Sequence, residues 1–138
     1  MTATPQTTGR LLKRAQYRNH RAADRALAAI GTTLVQWDAL RAIDEFPSAS
    51  AHALAVTTFQ SDQSFGALAG RLIAQGLVER SPGHGRRVEH RLTDAGKKML
   101  AEGQAVTAEV TARSFHALSQ AELETLHALL DRVGEAPD

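Results

Sequence analysis

Between Leu77 and Leu92 the chain stops repeating apolar residues every three or four positions and alternates them instead. Leu77 to Arg80 reads as a short strand, and Pro82, Gly83 and Gly85 as a turn. Arg86 to Leu92 reads as a second strand with Val88, His90 and Leu92 on one face. On both sides of this window the period is helical. One hairpin enclosed by helices restricts the chain to a mainly α fold carrying a small β element.

The helices are punctuated by their own residues. The first is expected from about Thr8 to before Gly31, with Leu11, Leu12, Ala15, Ala22, Ala23, Ala26, Leu27 and Ile30 as its apolar side. Leu34, Trp37, Leu40 and Ile43 place a second helix from about Thr33 to Glu45, ended by Pro47. Ser50 can cap a short third helix through Val56 or Thr57, and Ser61 a fourth running to about Gln75. The fourth has Phe65, Leu68, Ala69 and Leu72 as its buried stripe and stops at Gly76. Thr93 can cap a long fifth helix whose stripe includes Met99, Val106, Val110 and Phe115. Ser119 and Glu122 form a capping box for the last, in which Leu123, Leu126, Leu130 and Val133 make a helix-packing seam.

Length and composition fit one soluble globular domain, 1–138, with 43% hydrophobic and 22% charged residues. One Trp, one Tyr and four Phe leave Ala and Leu dominant, a mixture that favours helices. Met1 to Gly9 is polar, unlike a signal peptide, and the longest uncharged stretch, Phe46 to Ser61, is broken by Pro47 and several hydroxyl residues. A cytoplasmic protein without membrane association is expected. There is no cysteine, which removes disulfides, thiolate metal sites and thiol-based peroxide sensing. Six histidines are present, yet no pair has the helical spacing with a carboxylate that marks a zinc-hydrolase helix. No phosphate loop, nucleophile elbow or paired-carboxylate pattern is present. No metal, cofactor or enzymatic activity is assigned.

The net charge is +1, but its distribution is uneven. Arg10, Lys13, Arg14, Arg18, Arg21 and Arg25 lie together with Asp24 as the only acid among them, and the five arginines share one helical face. That face is either solvated and ion-paired or a nucleic-acid contact. A second basic cluster spans Arg80 to Lys98, and the chain beyond Met99 is mostly acidic.

Two short helices joined by a tight turn and followed by a basic hairpin have the layout of a winged helix, in which the second helix enters the major groove. At this level the residues become specific. Leu72-Ile73-Ala74-Gln75-Gly76-Leu77-Val78-Glu79-Arg80 and Arg91-Leu92-Thr93-Asp94-Ala95-Gly96 flank a wing of suitable length. Gln36-Trp37-Asp38-Ala39-Leu40 and Leu54-Ala55 precede them in order. The ordered set, over nearly the whole chain, resembles the MarR family of winged helix-turn-helix transcriptional regulators. The resemblance implies dimerisation through helices at 8–30 and 94–135, and a DNA-binding lobe at 33–93. It also implies binding to double-stranded DNA as a homodimer.

Departures from the family pattern are equally legible. Ala53 stands where the family commonly has Glu before Leu-Ala, and Phe59-Gln60 where the helix-helix turn usually has Gly and an aliphatic residue. Ala67 replaces a common arginine of the recognition helix. At the wing tip His84, Gly85 and Arg86 occupy the usual Asp-Arg-Arg positions, with Arg87 beside them.

The candidate DNA-contacting set is therefore Ser61, Asp62, Gln63, Ser64, Gly66, Ala67 and Arg71 on the recognition helix, with His84, Arg86 and Arg87 on the wing. Gln63 can pair bidentately with adenine. Asp62 can accept from cytosine, or simply complement the amino end of its helix. Gly66 and Gly70 either let the backbone approach the groove, pack against a neighbouring helix, or have no function. A small ligand as effector is what the resemblance implies; Tyr17, His20, Arg21 and Trp37 are candidate lining for a small aromatic anion, or else Trp37 simply fills the core and Arg21 is solvated. The competing reading is a winged-helix protein-interaction module, favoured by the arginine-poor recognition helix and opposed by the basic wing.

Overall fold

The computed structural model describes residues 2–82, 85 and 88–135. Its elements run α1 (Pro5–Ala28), α2 (Leu34–Glu45), α3 (Ala51–Thr57), α4 (Asp62–Ala74), β1 (Val78–Pro82), β2 (Val88–Leu92), α5 (Asp94–Ser114) and α6 (Gln120–Gly134). This is a mainly helical chain with one antiparallel hairpin, the architecture expected from the change of period.

Each helix begins at a hydroxyl residue whose side chain accepts an amide hydrogen of the first turn: Thr4, Thr33, Ser50, Ser61, Thr93 and Ser119. α1 starts at Pro5 and not near Thr8. The Thr4 hydroxyl accepts from the Thr7 amide at 3.1 Å while the Thr7 hydroxyl accepts from the Thr4 amide at 2.9 Å, and Pro5 has the φ that a first helical turn needs. At the other end of the chain, Ser119 and Glu122 close the capping box read from sequence.

The core is one cluster formed by the inner faces of α2, α3 and α4 with the base of the hairpin. Leu40, Ile43, Leu54, Phe65, Leu68, Leu72 and Val78 are its fully buried large side chains. On α1 only Ala23 and Leu27 are buried, and Leu11 and Leu12, expected on its apolar side, are exposed. α6 buries no residue at all. Asp24, the lone acid among the α1 arginines, turns the corner between α1 and α2. Its Oδ1 accepts the Leu34 amide at 2.7 Å, satisfying a free donor at the start of α2 and complementing the positive end of that helix.

β1 and β2 pair from Val78↔Leu92 to Pro82↔Val88. β1 extends to Pro82, a residue whose type suggests the turn. In a two-stranded sheet the missing amide of a terminal proline interrupts no ladder, so the strand continues through it.

At the foot of the hairpin four elements meet. Gly76, at φ 75°, ends α4 with its own amide on Ile73 O and the Leu77 amide on Leu72 O, both at 3.0 Å, a Schellman closure. The freed Gly76 carbonyl accepts the Thr93 hydroxyl at 2.6 Å, and the Thr93 amide donates to Leu77 O at 3.0 Å. Gly96, one turn into α5, faces the same carbonyl so closely that a Cβ would lie 2.0 Å from Leu77 O. Only glycine permits that approach.

Candidate nucleic-acid interface and an adjoining cleft

α4 presents two faces of opposite character. Phe65, Leu68, Ala69 and Leu72 are buried, while Ser61, Asp62, Gln63, Ser64, Gly66, Ala67, Gly70 and Arg71 are exposed. Every recognition-helix residue singled out from sequence thus lies on the outer side. A Cβ built on Gly66 or Gly70 meets nothing within 4 Å, so packing inside the chain does not require either glycine. Ser61 Oγ is engaged with the Ser64 amide at 3.1 Å. Asp62 is not free either, because the exposed His52 of α3 donates from Nδ1 to its Oδ1 at 2.8 Å. That pairing ties the exposed side of α3 to the first residue of α4, and sequence reading missed it; the two residues are ten positions apart on different helices. Gln63 is left as the exposed amide of the first turn.

The hairpin stands beside this helix. Glu79 and Arg91 face each other in register and pair at 2.7 Å, which orients the wing's outer surface but contributes little stability in water. The wing-tip candidates His84, Arg86 and Arg87 lie outside the described residues.

His90, on β2, couples wing to recognition helix. It is 5% exposed, its ring meets Phe65 edge to face at 6.2 Å, and its Nδ1 has no hydrogen-bond partner. Burial first, and then the Arg80 charge across the hairpin, push its pKa below the ordinary 6.5. Both effects favour the uncharged imidazole.

A cleft of about 650 Å³ opens between α1, α2, α5 and the start of α6. Trp37 forms one wall, held by a hydrogen bond from Nε1 to Leu100 O at 3.1 Å. Gly103 makes room for the indole, since a Cβ there would lie 2.2 Å from Trp37 Cδ1. The polar lining is neutral: Asn19, Gln104, Thr107 and Thr111. Of the four residues proposed from sequence, Trp37 lines this cleft, and Tyr17, His20 and Arg21 do not. Arg21 Nη1 donates to Tyr17 Oη at 3.2 Å on the outer face of α1, and His20 Nε2 sits 3.3 Å from Asp24 Oδ2. The sequence reading overlooked Asn19 and the α5 residues. Gln104, Thr107 and Thr111 recur at helical spacing, a polar stripe beside the apolar one, and that was the available signal.

Comparison with known proteins agrees with this geometry. The MarR family profile matches residues 30–87, from the link after α1 to the residue before β2. A probable transcriptional regulator of Pseudomonas aeruginosa is 30% identical, with a TM-score of 0.81 over 91% of this chain and 95% of its own. A cysteine variant of MarR from E. coli, solved with operator DNA, has a TM-score of 0.84 at 23% identity, over 91% of each chain. A MarR family protein of Mycobacterium tuberculosis, solved with salicylic acid, has a TM-score of 0.76 at 24% identity, over 96% of this chain and 97% of its own. A comparison with curated protein sequences finds no match. The fold is that of a winged helix-turn-helix protein. The chain belongs to the MarR family, whose members bind DNA and are not enzymes.

Burial of His90 gives stability a pH dependence of defined sign. The unfolded chain takes up a proton near pH 6.5, and the folded chain only at lower pH. Stability present above the unfolded value is therefore lost as pH falls below it, and the loss levels off once the folded imidazole is also protonated. Urea midpoints taken at about pH 7.5 and about pH 5.5 should fall further for the parent than for His90→Gln. Equal falls would show that His90 is not the linked group.

Proposed function

We propose that this chain is a cytoplasmic, ligand-responsive repressor that binds an inverted-repeat operator as a homodimer. The observation that carries the reading is the outer face of α4, polar at its start, small along most of its length and exposed from Ser61 to Arg71. Among the described residues no helix is long and apolar enough to cross a membrane.

Dimerisation is supported by the surface left uncovered. A compact monomer of 14.8 kDa has about 7,000 Å² of accessible surface by size scaling, and this chain has 9868 Å². Exposed large apolar side chains lie on both terminal helices, Leu11, Leu12 and Tyr17 on α1 and Leu129, Leu130 and Val133 on α6, where Leu123 and Leu126 are half-buried. The helices at 8–30 and 94–135 would supply the interface, leaving the lobe at 33–93 for DNA. Sedimentation should give a dimer at micromolar concentration, and Leu126→Glu/Leu130→Glu should give a monomer. A monomeric parent defeats this part.

The cleft is of ligand size. A small aromatic acid is the effector we propose, stacked on Trp37, with its carboxylate taken by the neutral amides and hydroxyls around it. Trp37 is the only tryptophan, so salicylate should change its emission and weaken DNA binding together. If neither moves, this ligand class is wrong.

On DNA, Gln63 with Ser64 is assigned base reading, and Arg86 and Arg87, placed by sequence on the wing, a minor groove or its phosphates. A promoter fragment should be shifted at moderate salt and released as salt rises. Gln63→Ala should cost about 1–3 kcal/mol on the cognate site and relax preference there. Arg86→Ala/Arg87→Ala should weaken binding on all sequences and lower the salt slope by about one unit for each phosphate no longer neutralised. Tight binding by the double variant at physiological salt would sink the wing assignment, and unchanged base preference in Gln63→Ala would sink the other.

A further inference from the structure

Phe59, in the turn between α3 and α4, is the most exposed of the large apolar side chains at 95%, and it is the one non-glycine residue with positive φ among the described residues, at 57°. A Cβ in that region crowds the backbone, which is why glycine or asparagine is usual there. The conformation is fixed from both sides. Before it, the buried Thr58 donates its hydroxyl to Leu54 O at 2.8 Å. After it, the Gln60 amide donates to Ala55 O at 2.8 Å, and Gln60 Nε2 donates to Thr58 Oγ1 at 3.1 Å. With both neighbours tied inward, the ring between them is turned out to solvent. Glycine at this position would remove the crowding and the exposed ring together, so the ring contributes nothing to the fold. Strain held in place by its surroundings at an exposed residue points to a role outside the chain.

Its surroundings say what kind of role. Phe59 donates its amide to Val56 O at 3.1 Å, and Val56 is itself 59% exposed. One helical turn before Val56, His52 reaches Asp62 at the first position of α4. The exposed residues Val56 and Phe59 therefore flank the turn that leads into α4, Phe59 standing two residues before the helix cap Ser61. In a major groove the apolar feature offered by the bases is the thymine methyl group, and phenylalanine is among the side chains that pack on it.

We propose that Phe59 is a specificity-determining DNA contact, its ring packing on a thymine methyl at the edge of the bases read by α4. The inference rests on the DNA-binding reading above, and its test separates the two. A duplex selected by the parent from a random library is compared with copies in which each thymine in turn is replaced by deoxyuridine, which lacks only the methyl. The parent should lose about threefold to tenfold in affinity at one defined position, the value of roughly one buried methyl group or somewhat more. Phe59→Gly should bind the thymine duplex more weakly by a similar factor and be indifferent to deoxyuridine at that position. It should also resist urea at least as well as the parent, because glycine relieves the turn.

Affinity of Phe59→Gly equal to the parent overturns the proposal. So does a loss that is the same on thymine and deoxyuridine duplexes, or a change in oligomeric state with DNA affinity intact, which would make the ring a protein contact. A parent that selects no duplex overturns the DNA reading itself, and this inference with it.

Discussion

The carbonyl of Leu77 and the absent side chain of Gly96 occupy one space, and the arrangement of the whole lobe depends on that close approach. α4 must end before it can present a carbonyl there, which Gly76 allows by turning left-handed. α5 must start within a hydrogen bond of the same spot, which Thr93 secures by giving its hydroxyl to Gly76 and its amide to Leu77 while capping Gly96. The hairpin is the chain's excursion between these two fixed ends. Its height and tilt beside α4 follow from the joint at its foot, and His90 against Phe65 secures it partway up.

Much of this was legible because the signals are local. Each hydroxyl cap is a statement about its own helix turn, and the stripe Phe65, Leu68, Ala69, Leu72 follows from 3.6 residues per turn alone. The outer face of α4 is simply the remainder. What sequence did not disclose depends on contacts between distant segments. The His52–Asp62 pair, the Asp24 hydrogen bond to the start of α2, and the membership of Asn19 and Thr111 in one cleft arise only once helices are placed. Tyr17 and Arg21 group with Trp37 by chemistry, because aromatic and cationic residues suit an anion. They lie on the other side of α1 and satisfy each other. The exposure of Leu11 and Leu12 was equally invisible, because periodicity marks a face as apolar without saying whether its partner belongs to the same chain.

The cleft and the helix core share residues in a way that restricts both. Trp37 is packed on Gly103 and bonded to Leu100, so one edge of the indole belongs to the α2–α5 interface and another to the open space. A side chain held this firmly offers a bound molecule a rigid wall, which lowers the ordering cost of binding.

Asp24 sets the mechanical character of the molecule. By accepting the leading amide of α2 from the last turns of α1, it ties the two helices together across the short link from Ala29 to Thr33. α1 and α2 turn as one bracket. The corner that joins α1 to the rest of the lobe is thus tied by one carboxylate, whose hydrogen bond restrains any change of angle there.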